Sequence, residues 1–163
     1  MAHEIHTDVE IAAPAERVWA LLTDFAAYPQ WNPFIRSIEG RPQQGATLKV
    51  RIQPSGAKAM TFRPTVLVAE PGRELRWLGR FLVPGLFDGE HRFVIQPSPS
   101  GTVRFEQGER FRKYQTRGWP GAFLAAGGYS STATPAPVVH YSAGIRATCT
   151  RARRRGRPWE KAT

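Results

Sequence analysis

Between Pro14 and Phe34 the chain carries a helix that is forced to stop, followed at once by a cluster of aromatics. Pro14 suits a first helical position, and Glu16 sits where the positive end of the helix dipole favours an acid. Val18, Leu21, Leu22 and Phe25 follow the i, i+3, i+4, i+7 spacing that places four apolar side chains on one helical face. Pro29 and Pro33 then prevent the helix from continuing, because proline lacks the donor and clashes with the preceding turn. Tyr28, Trp31 and Phe34 are left in a short second element. A one-faced helix with an aromatic appendage has to pack on a large apolar surface, and the rest of the chain must supply it.

It supplies strands. Ile5, Thr7, Val9 and Ile11 alternate with Glu4, His6, Asp8 and Glu10, the period of a half-buried strand. Phe34 to Glu39 forms a second candidate, closed by Gly40 and Pro42. Leu48, Val50 and Ile52 alternate with Lys49 and Arg51 up to a turn at Pro54-Ser55-Gly56. Met60, Phe62, Val66 and Val68 continue the pattern, with Pro64 predicting a bulge or an edge position. After Pro71-Gly72 come Leu75, Trp77, Gly79 and Phe81, and after Pro84-Gly85 come Phe87, Gly89, His91, Phe93 and Ile95. The last clear strand sets Val103, Phe105, Gln107, Glu109 and Phe111 against Thr102, Arg104, Glu106 and Arg110. About seven strands joined by tight turns after an early helix pair predict an antiparallel sheet, and therefore an α+β fold.

Pro14, Val18, Trp19, Leu22, Asp24, Tyr28, Pro29, Trp31, Asn32 and Pro33 stand at spacings that resemble the opening of the START-like, helix-grip superfamily (SRPBCC proteins). The nearest likeness is to its polyketide cyclase/dehydrase and lipid-transport branch. Many fixed positions at fixed spacing make this signal far more specific than a lone glycine motif. The resemblance runs to about Arg112. It implies a curved antiparallel sheet that grips a long C-terminal helix, with a cavity between them.

The last third departs from that pattern. Residues 114–163 include Gly118-Trp119-Pro120-Gly121, Gly127-Gly128, Pro135-Ala136-Pro137 and the run Arg151 to Arg157, with no sustained helical period. We therefore expect a domain over residues 1–112 and an atypical Gly/Pro/Arg-rich segment over 113–163, without the usual roofing helix.

Charge and composition exclude several classes. The formal charge of +10 invites a nucleic-acid reading, but residues 1–112 hold 14 Lys and Arg against 12 Asp and Glu. Residues 113–163 hold 9 against 1, so the basic character belongs to the tail. Arg151 to Arg157 carries no interleaved aromatics and no folded DNA-binding motif, so no specific nucleic-acid partner is expected. A single cysteine excludes an internal disulfide, no apolar run is long enough to span a membrane, and the N-terminus lacks a signal-peptide layout. These features predict a cytoplasmic protein. Phosphate-binding glycine loops, zinc spacings and a G-x-S-x-G nucleophile motif are all absent, so neither cofactor nor metal is expected.

If the odd-numbered residues of the late strands face inward, they line the concave surface. Trp77, Phe81, Phe87, Phe93, Phe105 and Phe111 then form an apolar wall, joined by Met60 and Phe62. His91, Gln107 and Glu109 sit within it, and Trp31 and Phe34 reach towards its rim. Apolar area with a few polar groups is what a small-molecule site requires, although the same aromatics would also fill an ordinary core. The expected function is binding or transport of a small hydrophobic ligand such as a lipid, polyketide or aromatic metabolite. Two alternatives stand beside it: a cyclase or dehydratase moving a proton through His91 and Glu109, and a protein-interaction module like the chaperone-regulating relatives of this superfamily. Asp24, Tyr28, Trp31 and Asn32 are read as structural, joining the helices to the sheet. Without a roofing helix, a homo-oligomer that covers the aromatic face is a further expectation.

Overall fold

The computed structural model describes residues 2–53, 58–80, 87–113 and 144–149, with the side chains of 2, 3, 5, 80, 87, 88 and 111–113 outside that description. The predicted alternation becomes eight strands among these residues: β1 (Ala2–Ile11), β2 (Ile35–Glu39), β3 (Lys49–Ile52), β4 (Met60–Phe62), β5 (Thr65–Glu70), β6 (Glu74–Arg80), β7 (Phe87–Pro97) and β8 (Val103–Lys113). The count exceeds the expected seven because Pro64, which has no N–H to give a ladder, separates β4 from β5. Of the two expectations at Pro64 the edge position holds, since β4 and β5 on either side of it are both edge strands, while the bulge lies between Val66 and Val68, where the β5–β6 register shifts.

Every strand pairing is antiparallel. Five strands run in the order β1-β8-β7-β6-β5, and three more in the order β2-β3-β4. The two sheets are stitched where the chain approaches β3: Thr47 bridges Thr65, Leu48 N–H donates to the Pro64 carbonyl at 2.8 Å, and Ala46 and Val66 are joined by a 2.8 Å bond. The longest ladder is the β7–β8 hairpin, eleven residue pairs from Phe87↔Lys113 to Pro97↔Val103. Gly72, at φ +70°, makes the β5–β6 turn where the Pro71-Gly72 pair predicted one.

The helix forms as its spacing requires. α1 (Ala15–Thr23) buries Ala15, Val18, Leu21 and Leu22, with Phe25 buried just beyond its end. Pro14 proves to be the extended cap residue, at ψ 156°, rather than the first helical one. Asp24 ends α1, and its carboxylate accepts a 3.3 Å bond from Ala27 N–H in the 3₁₀ turn Phe25–Ala27. α2 (Tyr28–Trp31) follows. Tyr28 is fully buried, and its hydroxyl donates to the Leu22 carbonyl at 2.7 Å, tying the second helix back to the first. Asn32 is also buried, and its Oδ1 accepts from both Phe34 and Ile35 N–H at 3.0 Å, which turns the chain into β2.

In the last third the described residues differ from expectation. Residues 144–149 are helical, with Ile145 and Cys149 buried against the core formed by α1 and the sheet. The sequence hid this because Gly144 and Thr148 interrupt the apolar pattern and one and a half turns leave too few positions to display a period. Gly144 is used for its lack of a side chain: a Cβ there would lie 2.6 Å from the Trp31 carbonyl oxygen and 2.8 Å from its ring. The helical turn thus rests directly on the aromatic cluster after α1.

Candidate functional site

Strand register decides which side chains share a face. Across the five-stranded sheet, Glu109 lies opposite His91, and His91 opposite Trp77. One inward position along, Gln107 lies opposite Phe93 and Thr7, and Phe93 opposite Leu75. Next come Phe105, Ile95 and Val9 in one row. Side chains directly across a ladder point to the same side, so these rows make one continuous inner face. Trp77, Phe93, Phe105 and Leu75 are each at most 1% exposed. Phe93 packs between Trp77, with centroids 5.1 Å apart, and Phe105, at 6.1 Å. Phe25 meets Trp77 edge-on at 6.5 Å, so the 3₁₀ turn that follows α1 sits on this same aromatic wall.

Phe62 joins the wall from the smaller sheet. Its ring lies over Gly79, where an added Cβ would be 3.3 Å from two ring carbons. Glycine in the interior of β6 is what permits that approach. Met60 is half-buried two residues earlier on β4, and Trp31 and Phe34 are half-buried and packed against the core. The structure thus brings Trp77, Phe93, Phe105, Gln107, Glu109, His91 and Phe62 to one face. Phe87 and Phe111 hold inward register positions on β7 and β8, with side chains outside the described set, and Phe81 lies outside the described residues altogether. The expected turns at Pro54-Ser55-Gly56 and Pro84-Gly85 fall in the same category.

Three polar side chains interrupt the wall. Gln107 is fully buried and Glu109 is 1% exposed, while the His91 side chain keeps 16%. Gln107 Nε2 donates towards Glu109 Oε1 at 3.4 Å. His91 Nδ1 stands 3.3 Å from that same oxygen, within ion-pair distance but not aligned as a hydrogen bond. Burying a carboxylate is expensive unless donors surround it, and the amide and the imidazole at Oε1 supply part of that compensation. Chemically the cluster holds an acceptor, an amide and a titratable ring together within an aromatic surface. Sequence reasoning placed Thr7 on the inner side of β1 but did not see that it faces Gln107, since cross-strand register cannot be read from alternation within one strand.

The opposite face is unlike it. Asp8 and Arg104, Glu4 and Arg110, and Glu74 and Arg92 pair across neighbouring strands at 3.3 to 3.9 Å with mostly exposed side chains. A depression of about 310 Å³ lies over Gly108, lined by Glu4, His6, Arg76, Glu90 and other charged groups. Exposed pairs of this kind contribute little to stability and give solubility to a sheet face. Among the described residues no group of three or more His, Cys, Asp or Glu is placed to hold a metal ion, and no helix is long and apolar enough to cross a membrane.

An antiparallel sheet, a short helix pair laid on its inner face and the helical turn at 144–149 over that pair define an α+β domain of the helix-grip fold. The chain belongs to the family described as polyketide cyclase / dehydrase and lipid transport, whose profile matches residues 2–148 and so continues past Arg112 into the terminal helical turn. No curated protein matches it. Solved structures share its fold at low identity. The Zhui aromatase/cyclase from Streptomyces sp. R1128 superposes with a TM-score of 0.65 at 20% identity, over 96% of this chain and 97% of that one. A START superfamily protein from Mycobacterium smegmatis gives 0.60 at 21%, over 93% and 96%. Norcoclaurine synthase from Thalictrum flavum gives 0.67 at 12%, over 94% and 97%.

Proposed function

We propose that this protein binds a small, largely apolar molecule on the inner face of its five-stranded sheet. The observation that carries this reading is the placement of Gln107 and Glu109, both almost completely buried, in the middle of a wall otherwise made of Trp77, Phe93 and Phe105. A domain built only for stability gains nothing from two such groups in its interior, because each costs desolvation that an apolar residue of like size would avoid. A binding site gains orientation and selectivity from them. The family description, which joins cyclases with lipid transport, supports the same class of ligand. Native mass spectrometry of the purified protein, followed by denaturing extraction, tests the reading. A retained apolar molecule of a few hundred daltons supports it; protein that is folded, empty and indifferent to every apolar probe refutes it.

The second reading is catalytic, and one distance favours it. His91 Nδ1 lies 3.3 Å from Glu109 Oε1, and a carboxylate in that position orients an imidazole. His91 retains some exposure, so its ring is the member of the pair that a substrate can reach. In a cyclase or dehydratase it would pass a proton to or from the substrate while Glu109 held the ring. Turnover of a polyketide-type substrate that depends on pH and disappears in His91→Ala, with the fold retained, supports this reading. Ligand binding with no turnover in the unmodified protein leaves only the first.

A further inference from the structure

The hydrogen bonding of Gln107 does not close among the described residues. Its side chain is fully buried, yet Oε1 has no hydrogen-bond partner among the described residues. The amide orientation follows from chemistry. The group facing Glu109 Oε1 at 3.4 Å must be the NH₂, since a carboxylate oxygen accepts and an amide oxygen there would repel it. Oε1 therefore points away from Glu109. Its cross-strand neighbours are Thr7 and Phe93, with Phe105 two residues back along β8, and no donor from them reaches it. A buried acceptor left without a donor is destabilising, and such atoms are rare enough in folded proteins that each one calls for a partner.

Resting on the ligand-binding reading above, we propose that Gln107 Oε1 is the specificity-determining acceptor of the site, and that it selects ligands presenting a hydroxyl on an aromatic ring. The donor is required because the open valence is an acceptor. The ring is required because the surroundings of Gln107 are the Phe93 and Phe105 rings, 6.1 Å apart and 23° from parallel, with Trp77 beyond them. A phenolic hydroxyl supplies one donor on a rigid apolar body and adds no second polar group to be buried. An apolar molecule with no donor leaves the orphan oxygen as it is, and an ether adds a second acceptor beside it.

Isothermal titration calorimetry of the full chain with 2-naphthol, naphthalene and 2-methoxynaphthalene tests this without any mutation. The expected order is 2-naphthol tightest by about tenfold or more, then naphthalene, then the ether. Gln107→Met, which keeps the length of the side chain and removes the acceptor, is expected to bind naphthalene at least as well as the unmodified protein and to bind 2-naphthol with no advantage over it. Equal affinities for all three probes in the unmodified protein overturn the proposal while leaving apolar binding intact. An ether that binds as tightly as the phenol overturns it too, as does a phenol preference that survives in Gln107→Met. Failure of all three probes, together with an empty protein in native mass spectrometry, removes the binding reading itself and this proposal with it.

Discussion

Replacing Asn32 by alanine separates a structural role from a ligand-contacting one at the most recognisable motif in the chain. Asn32 is 1% exposed, and its Oδ1 accepts 3.0 Å bonds from two consecutive backbone donors, Phe34 N–H and Ile35 N–H. Alanine leaves both without acceptors. Ile35 N–H is buried and bears the full penalty of an unmet donor, about 1–3 kcal/mol, while Phe34 N–H is partly accessible and recovers some of its loss from water. A small offset arises because Asn32 Nδ2 is itself buried without a partner among the described residues, and alanine removes it. The net expectation is about 2–3 kcal/mol, or roughly 5–10 °C in melting temperature for a domain of this size. Circular dichroism melts measure it, with Asn32→Asp alongside as a variant that keeps the accepting oxygen and should lose less than alanine. Apolar-probe affinity per folded molecule should not change. A loss below about 2 °C, equal losses in the two variants, or a selective loss of probe binding would each refute the argument.

Burial pushes the Tyr28 phenol far above its ordinary value of about 10. Its folded form therefore stabilises the protein fully below pH 10, and that stability is lost as pH rises above 10 and unfolded molecules ionise where folded ones do not. Alkaline melts should steepen there by about 1.4 kcal/mol per pH unit, and Tyr28→Phe should be flatter at high pH while losing about 1–2 kcal/mol at neutral pH with its 2.7 Å bond to Leu22. Gly144→Val should push residues 144–149 away from Trp31, because even the Cβ would sit 2.6 Å from a carbonyl oxygen. Cys149 reports the displacement: it is 1% exposed with a thiol pushed up by burial against the lowering effect of Arg17, so disulfide-exchange reagents should react at least about tenfold faster with the variant. Gly79→Val should displace the Phe62 ring from β6 and weaken apolar-probe binding more than it lowers the melting temperature, measured by calorimetry and circular dichroism together.

The fold was legible wherever one segment carried its own period. Val18, Leu21, Leu22 and Phe25 declared the buried face of α1, and the odd-numbered residues of β7 and β8 declared theirs, because alternation along a strand maps directly onto side. Pro64 was seen as a disturbance but not as a boundary between strands, since a missing N–H predicts a defect without saying on which side pairing resumes. The helical turn at 144–149 was illegible for a different reason. Its order comes from Gly144 seated on Trp31, a contact more than one hundred residues apart in the chain, and no local pattern records it.

The site shows the same division more sharply. Alternation placed His91, Gln107 and Glu109 on the inner face with the aromatics, so the chemical content of the wall was available from the sequence. Which of them touch was not, because contact depends on cross-strand register, and register is set by hairpin geometry and bulges rather than by either strand alone. Once His91 is opposite Glu109 and Gln107 opposite Thr7 and Phe93, a single carboxylate oxygen faces both the imidazole and the amide. That arrangement draws the Gln107 NH₂ to one side and turns its carbonyl to the other, where no donor among the described residues meets it. The unmet oxygen is therefore a consequence of where Glu109 sits, and Glu109→Leu should remove the constraint that orients it. With the amide free to rotate, the phenol preference should fall towards the naphthalene level in the same calorimetric series, even though Gln107 is still present. A preference left intact in Glu109→Leu would mean that Gln107 is held by something other than the carboxylate.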